Sequence, residues 1–132
     1  MQKKINMFLL FSHQLSPEQK TSARNKWGVT DILAMPEPLR RIWSQIPPKP
    51  SGIGNDISPI KNWLNDNGQK GDLALIQGDF GATYLMVTHT LTLGLIPIYA
   101  TTTRQACEEI RPDGSIAMEH VFRFHRFRIY GQ

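Results

Sequence analysis

The chain has one cysteine, Cys107, which excludes an internal disulfide and fits a reducing compartment. Its longest apolar runs fall well short of the roughly 20 residues that a membrane-spanning helix requires. Lys3-Lys4 followed by INMFLLF mimics a signal peptide, but the run is short, contains Asn6 and continues into SHQLSPEQ without a small-residue cleavage site. These features point to the cytoplasm and away from membranes. Metal-ligand spacing is also missing. His13, His89, His120 and His125 are scattered and Cys107 stands alone, so no metal or other cofactor is expected. Neither the dinucleotide pattern G-x-G-x-x-G nor a P-loop lysine with its Ser/Thr occurs. Asp79-Phe80-Gly81 spells a kinase triplet, yet no other kinase element accompanies it. Internal repeats and low-complexity segments are lacking as well.

What is present reads as ordinary globular composition, 40% hydrophobic and 20% charged over 132 residues. That length predicts one domain over residues 1–132, with room for a real core and scope for an oligomer. The net charge of +4 favours an anionic partner without naming one, and Arg123, Arg126 and Arg128 concentrate it near the end.

The central stretch is Asp72–Tyr84, DLALIQGDFGATY. Leu73-Ala74-Leu75-Ile76 is a short apolar run between glycines, the pattern of a fully buried strand. Gln77 stands at its carboxyl end, Gly78-Asp79-Phe80-Gly81 makes a tight turn, and apolar residues then continue at helical spacing to Leu93. A strand, a glycine turn and a helix N-terminus together form an anion site, because free backbone N–H groups and the positive end of the helix dipole meet there. In an open parallel sheet, ligands bind outside such carboxyl ends. A plain structural turn is the competing reading.

Around this stretch, Ile5–Phe11 predicts a central strand covered on both faces, with Ser12-His13-Gln14 at its end. Ser16-Pro17-Glu18-Gln19 is a helix start with a capping box, and Gly28 supplies a left-handed stop after Trp27. Val29–Met35 is a weaker strand. Pro38–Ile46 forms a short helix that exposes Arg40 and Arg41 and buries Leu39, Ile42 and Trp43. Residues 47–55, PPKPSGIGN, are too rich in Pro and Gly to be regular and read as a mobile loop. Ile57, Ile60 and Leu64 mark one face of the next helix. Leu95–Ala100 is a strand running into Thr101-Thr102-Thr103-Arg104, and Asp113-Gly114 turns a hairpin between Thr103–Arg111 and Ser115–Phe122. Phe122 and Phe124 share one parity and Phe127 and Ile129 the other, so a bulge near His125-Arg126 would turn all four inward. The order predicts an α/β fold: a Rossmann-like, mostly parallel sheet with flanking helices and a C-terminal antiparallel hairpin.

In such a sheet three strand ends carrying small polar groups, Ser12-His13, Gln77-Gly78 and Thr101–Arg104, lie side by side. Each has a bland alternative, since Ser12 or His13 could satisfy the following turn and the threonines could serve only as β-formers. The arginines and aromatics of Phe122–Tyr130 resemble a nucleic-acid surface, but alternation of aromatics inward and arginines outward explains them as a strand.

The segments FLLFSHQLSPEQ, PEPLRRIWSQIPP, GDLALIQGDFGATY, LGLIPIYATTTR and VFRFHRFRIY together resemble the small stand-alone CRISPR-associated ring nucleases of the Csx class, over nearly the whole chain. The resemblance implies a CARF-like domain acting as a homodimer. It also implies cleavage of cyclic oligoadenylate, most of all the tetra-adenylate, in type III CRISPR defence. On the matching positions, Ser12 and His13 contact the scissile ribose-phosphate beside Phe11, with His13 as acid or base. Phosphates sit on the strand-end hydroxyls, the amides of Gly78, Asp79, Phe80 and Gly81, and Arg104. Gln77, Thr83, Thr101, Thr102 and Thr103 position phosphate or adenine. The 2′-OH of RNA is its own nucleophile, so no metal is needed, and linear di-adenylates with 2′,3′-cyclic phosphate are the implied products. A module that sequesters the ring without cutting it, and a general RNA-binding domain, are the alternatives; no stable long nucleic-acid partner is expected.

Overall fold

A computed structural model describes residues 3–132. Along them run β1 (Asn6–Leu10), α1 (Pro17–Trp27), β2 (Asp31–Ala34), α2 (Glu37–Ser44), α3 (Gly54–Asn67), β3 (Leu73–Ile76), α4 (Phe80–Thr92), β4 (Ile96–Ile110) and β5 (Ile116–Ile129). The strands form one mixed sheet in the order β2-β1-β3-β4-β5, with β5 antiparallel to β4 and every other pair parallel. From β1 the chain first steps out to β2, then returns across to β3 on the other side. A crevice therefore opens at the carboxyl ends of β1 and β3, where the direction of winding reverses. Among the described residues no helix is long and apolar enough to cross a membrane.

Local chemistry accounts for the element ends. Ser16 Oγ accepts from the Gln19 amide at 3.2 Å while Gln19 Oε1 accepts from the Ser16 amide at 2.9 Å, closing the capping box of α1. Gly28 stops that helix at φ 68°, a conformation costly for any residue with a Cβ. In the two central strands, successive side chains point into two different cores. Phe8, Leu10, Ala74 and Ile76 pack with α2, α3 and α4 through Trp43, Ile57, Ile60, Leu64 and Met86. Met7, Leu9, Leu73 and Leu75 pack on the opposite face with Ala23 of α1 and with Ile98 and Phe127. The chain between α2 and α3 is irregular, with Lys49 Nζ 2.7 Å from Asp56 Oδ2.

Asp72, only 3% exposed, ties the amino ends of the central strands together. Its Oδ1 accepts from the Asn6 amide at 3.0 Å and its Oδ2 from the Gln69 amide at 2.9 Å. Asp72→Ala would leave both donors without their acceptor. The expected cost is about 2–3 kcal/mol, read as a lower urea midpoint with an unchanged m-value; a loss below about 0.5 kcal/mol would contradict the role.

The last two strands differ from the sequence expectation. Instead of one strand ending at Ala100 and another beginning at Thr103, β4 is continuous over 15 residues, because Thr101-Thr102-Thr103 are β-formers with no breaker among them. Asp113-Gly114 makes the expected turn, with Gly114 at φ 85°. Thr101 opposes Arg126 and Thr102 opposes Phe124, so His125 is the extra residue of a bulge. Thr101 Oγ1 clamps that bulge, donating to the Arg126 carbonyl at 2.8 Å and accepting from its amide at 3.2 Å. Phe124, Phe127 and Ile129 thereby reach the α1-side core. Phe122 does not: it is 65% exposed, because the hairpin has by then left the body of the sheet.

Candidate functional site

The carboxyl ends of β1, β3 and β4 do lie side by side, since the sheet order places these strands consecutively. At the centre stands Gln77. Its amide donates to the Leu10 carbonyl at 3.0 Å, its carbonyl accepts from Trp43 Nε1 at 2.9 Å, and its Oε1 accepts from the Ala100 amide at 2.8 Å. Gln77 thus joins β1, β4 and α2; it shapes the edge, and the oxygen expected to meet a ligand is already engaged. Tyr130 adds a bond from its hydroxyl to the Ile76 carbonyl at 2.5 Å, and burial raises the pKa of that phenol. Gly78 is required by proximity, since a Cβ there would stand 2.6 Å from Trp43 Nε1.

The glycine turn leads into α4 as expected, but its acid has a different task. Asp79 caps the helix, with Oδ2 accepting from the Ala82 amide at 3.0 Å. A carboxylate therefore already occupies the positive end of α4, which turns away a second anion aimed at the same amides. Phe80 and Gly81 begin the helix at its open end. Phe80 is 94% exposed and Tyr84, one turn on, 68%, so two aromatic rings face solvent on the same side of α4. Thr83 presents the one hydroxyl among the described residues that is buried without a protein partner.

Two adjoining clefts open beyond β1. One, about 410 Å³, is lined by Phe11, His13, Lys20, Arg24 and Arg40 together with Leu9 and Ala34 at the strand ends. The other, about 220 Å³, is lined by Ser12, Glu37, Arg40, Arg41 and Ser44. Arg40 borders both. Arg41 is held by Glu37 at 3.1 Å, whereas Arg40 makes no ion pair among the described residues. His13 is exposed, with its ring edge-on to Phe11 at 5.3 Å between centroids. His13 thus shares its cleft with Lys20, Arg24 and Arg40, and Ser12 shares the other with Arg40 and Arg41.

Thr101 is consumed by the bulge. Thr102 and Thr103 fall on opposite faces, exposed, where β4 leaves the sheet, and Arg104 lies beyond them on the projecting hairpin. Arg104 is not among the residues that line the clefts of Ser12 and His13. Arg40, Arg41, Lys20 and Arg24 take that place and were missed as site residues. From sequence Arg40 and Arg41 are only the exposed side of a helix, because nothing local announces that α2 lies over the end of β1.

These features define an α/β protein with a cation-lined, partly aromatic cleft at the turning point of its sheet. Residues 5–128 match the family described as "Uncharacterized protein MJ1673 family", and the chain is 45% identical over 124 residues to "Uncharacterized protein MJ1673" of Methanocaldococcus jannaschii, covering 94% of this chain and 95% of that one. The chain belongs to the MJ1673 family. No solved structure matches it.

Proposed function

We propose that this protein is a CARF-like ring nuclease. It binds cyclic oligoadenylate, foremost the cyclic tetra-adenylate, as a homodimer and cleaves it, switching off type III CRISPR signalling. The observation that carries this reading is the pair of clefts sharing Arg40, with Ser12 in one and His13 in the other. A phosphodiester placed there has cations for its non-bridging oxygens and an imidazole as a general acid or base. Phe80 and Tyr84 offer ring faces for adenine, and base–aromatic stacking is tolerant of orientation.

The chemistry needs only alignment and proton transfer. The 2′-oxygen attacks phosphorus in line, forming the O2′–P bond as the P–O5′ bond breaks. His13 takes the 2′-OH proton, and the 5′-oxygen leaves with a proton returned from the same imidazolium or from water. Arg40 and Arg41 balance charge on the equatorial oxygens, which fork-shaped guanidinium groups suit. Two such cuts turn one tetra-adenylate ring into two linear di-adenylates bearing 2′,3′-cyclic phosphate and 5′-OH ends. A ring of four equal units has two-fold symmetry, which a two-fold dimer matches.

Incubating the protein with cyclic tetra-adenylate and resolving the mixture by chromatography tests the proposal. Linear di-adenylate is the expected product. A ring that is bound yet recovered intact would replace the nuclease with a sequestering module, and a ring left unbound would remove the ligand altogether.

A further inference from the structure

The hairpin of β4 and β5 runs on past the body of the sheet, and its two faces differ. Ile98 and Ala100 point to the α1 side, so by alternation Thr102, Arg104, Ala106, Glu108 and Ile110 do too. Cross-strand register puts Phe122 opposite Arg104, His120 opposite Ala106, Met118 opposite Glu108 and Ile116 opposite Ile110 on that same face. Ile110, Ile116, Met118 and Phe122 are 76%, 62%, 58% and 65% exposed. The opposite face carries Thr103, Gln105, Glu109, Glu119 and Arg123, with the smaller Cys107, Ala117 and Val121 among them. The α1-side face of the arm thus carries four large apolar side chains, interleaved with Arg104, Glu108 and His120, that its own chain leaves exposed.

We infer that a second copy of this chain covers it, the two arms packing face to face and antiparallel about a two-fold axis through Ala106 and His120. The spacing of charges on the arm selects this occupant and this register. Arg104 and Glu108 stand two residues either side of Ala106, so the axis places Arg104 of each copy against Glu108 of the other. It also sets Met118 against Phe122 and Ile116 against Phe124, and leaves no like-charged pair opposed. Phe124 lies at the mouth of a groove of about 440 Å³ between α1 and β5, lined also by Pro17, Thr21 and Asn25, which receives the apolar arm tip of the other copy. Nine residues of strand, Thr102–Ile110, span about 30 Å. The arms leave from the carboxyl edge of each sheet, so the two clefts face one another across the dimer.

This interface rests on the two-copy assembly of the proposed function and specifies its contact; ring cleavage plays no part in it. Light scattering on the full chain without any nucleotide reads it separately from nuclease activity. The parent protein is expected as a dimer of twice 15.0 kDa. Arg104→Glu and Glu108→Arg each oppose like charges at two symmetric points and are expected to raise the dimer Kd about a hundredfold. The double variant R104E/E108R is expected to recover most of the parent value, because the pairs re-form with signs exchanged. Circular dichroism of the single variants should match the parent, since both side chains are exposed. A monomeric parent at every concentration overturns the inference. So does a dimer indifferent to all three variants, or a double variant as weak as the sum of the singles.

Discussion

His13→Ala is expected to slow cleavage of cyclic tetra-adenylate by about 10²–10⁴-fold while ring affinity stays within a few-fold of the parent. The separation follows from where the side chain stands. His13 lines the larger cleft beside Lys20, Arg24 and Arg40, so affinity belongs mainly to these cations and Arg41, and proton transfer to the imidazole. Its ring stands edge-on to Phe11 and makes no side-chain hydrogen bond among the described residues. Arg40→Ala is the companion variant and should show the reverse pattern, weaker binding first, because a charge-assisted phosphate contact contributes roughly 1.5–3 kcal/mol. Single-turnover rates and ring binding measured on both variants check the pair. If His13→Ala cuts as fast as the parent, the reacting phosphate lies elsewhere on the edge.

Gly78→Ala is expected to be the most damaging single methyl in the site. The new Cβ would come within 2.6–3.0 Å of three atoms of the Trp43 indole, a ring 3% exposed and bonded through Nε1 to the Gln77 carbonyl. Neither partner yields easily. Moving the indole breaks that bond and disturbs the α2 core, and moving the turn disturbs Gln77, which holds β1 to β4. An overpacking cost of about 1–3 kcal/mol adds to about 1 kcal/mol for the bond. Trp43→Phe, which vacates the position of the Nε1 atom, should absorb much of the methyl's cost. A double-mutant cycle in urea should therefore give a coupling of at least about 1 kcal/mol. Additive effects would show that the clash is relieved by movement elsewhere.

Sequence reasoning reached what local chemistry decides. Ser16 and Gln19 form a capping box by their spacing alone, Gly28 ends its helix because only glycine sits easily at that φ, and LALI reads as a buried strand because both neighbours cover it. The bulge at His125 was legible from the parity of four apolar residues. What escaped was decided across the fold. Asp79 was read as part of an anion cradle, whereas its carboxylate is itself the anion at the helix start. Gln77 was expected to face a ligand, but the Ala100 amide lies one strand away and takes its oxygen. Arg104 followed three threonines at a strand end, and the strand did not end there. Arg40 reached the site because α2 folds back over β1, a placement that depends on Trp43 finding the Gln77 carbonyl 34 residues on.

The central claim is that the ring's own 2′-OH is the nucleophile and that the side chains around Ser12 and His13 suffice to deploy it. The most direct measurement is the end-group chemistry of cyclic tetra-adenylate products formed in excess EDTA, resolved by mass spectrometry. The expected result is undiminished cleavage to linear di-adenylate carrying a 2′,3′-cyclic phosphate. Products with free 3′-hydroxyl ends, or activity that vanishes in EDTA and returns with magnesium or manganese, would contradict it.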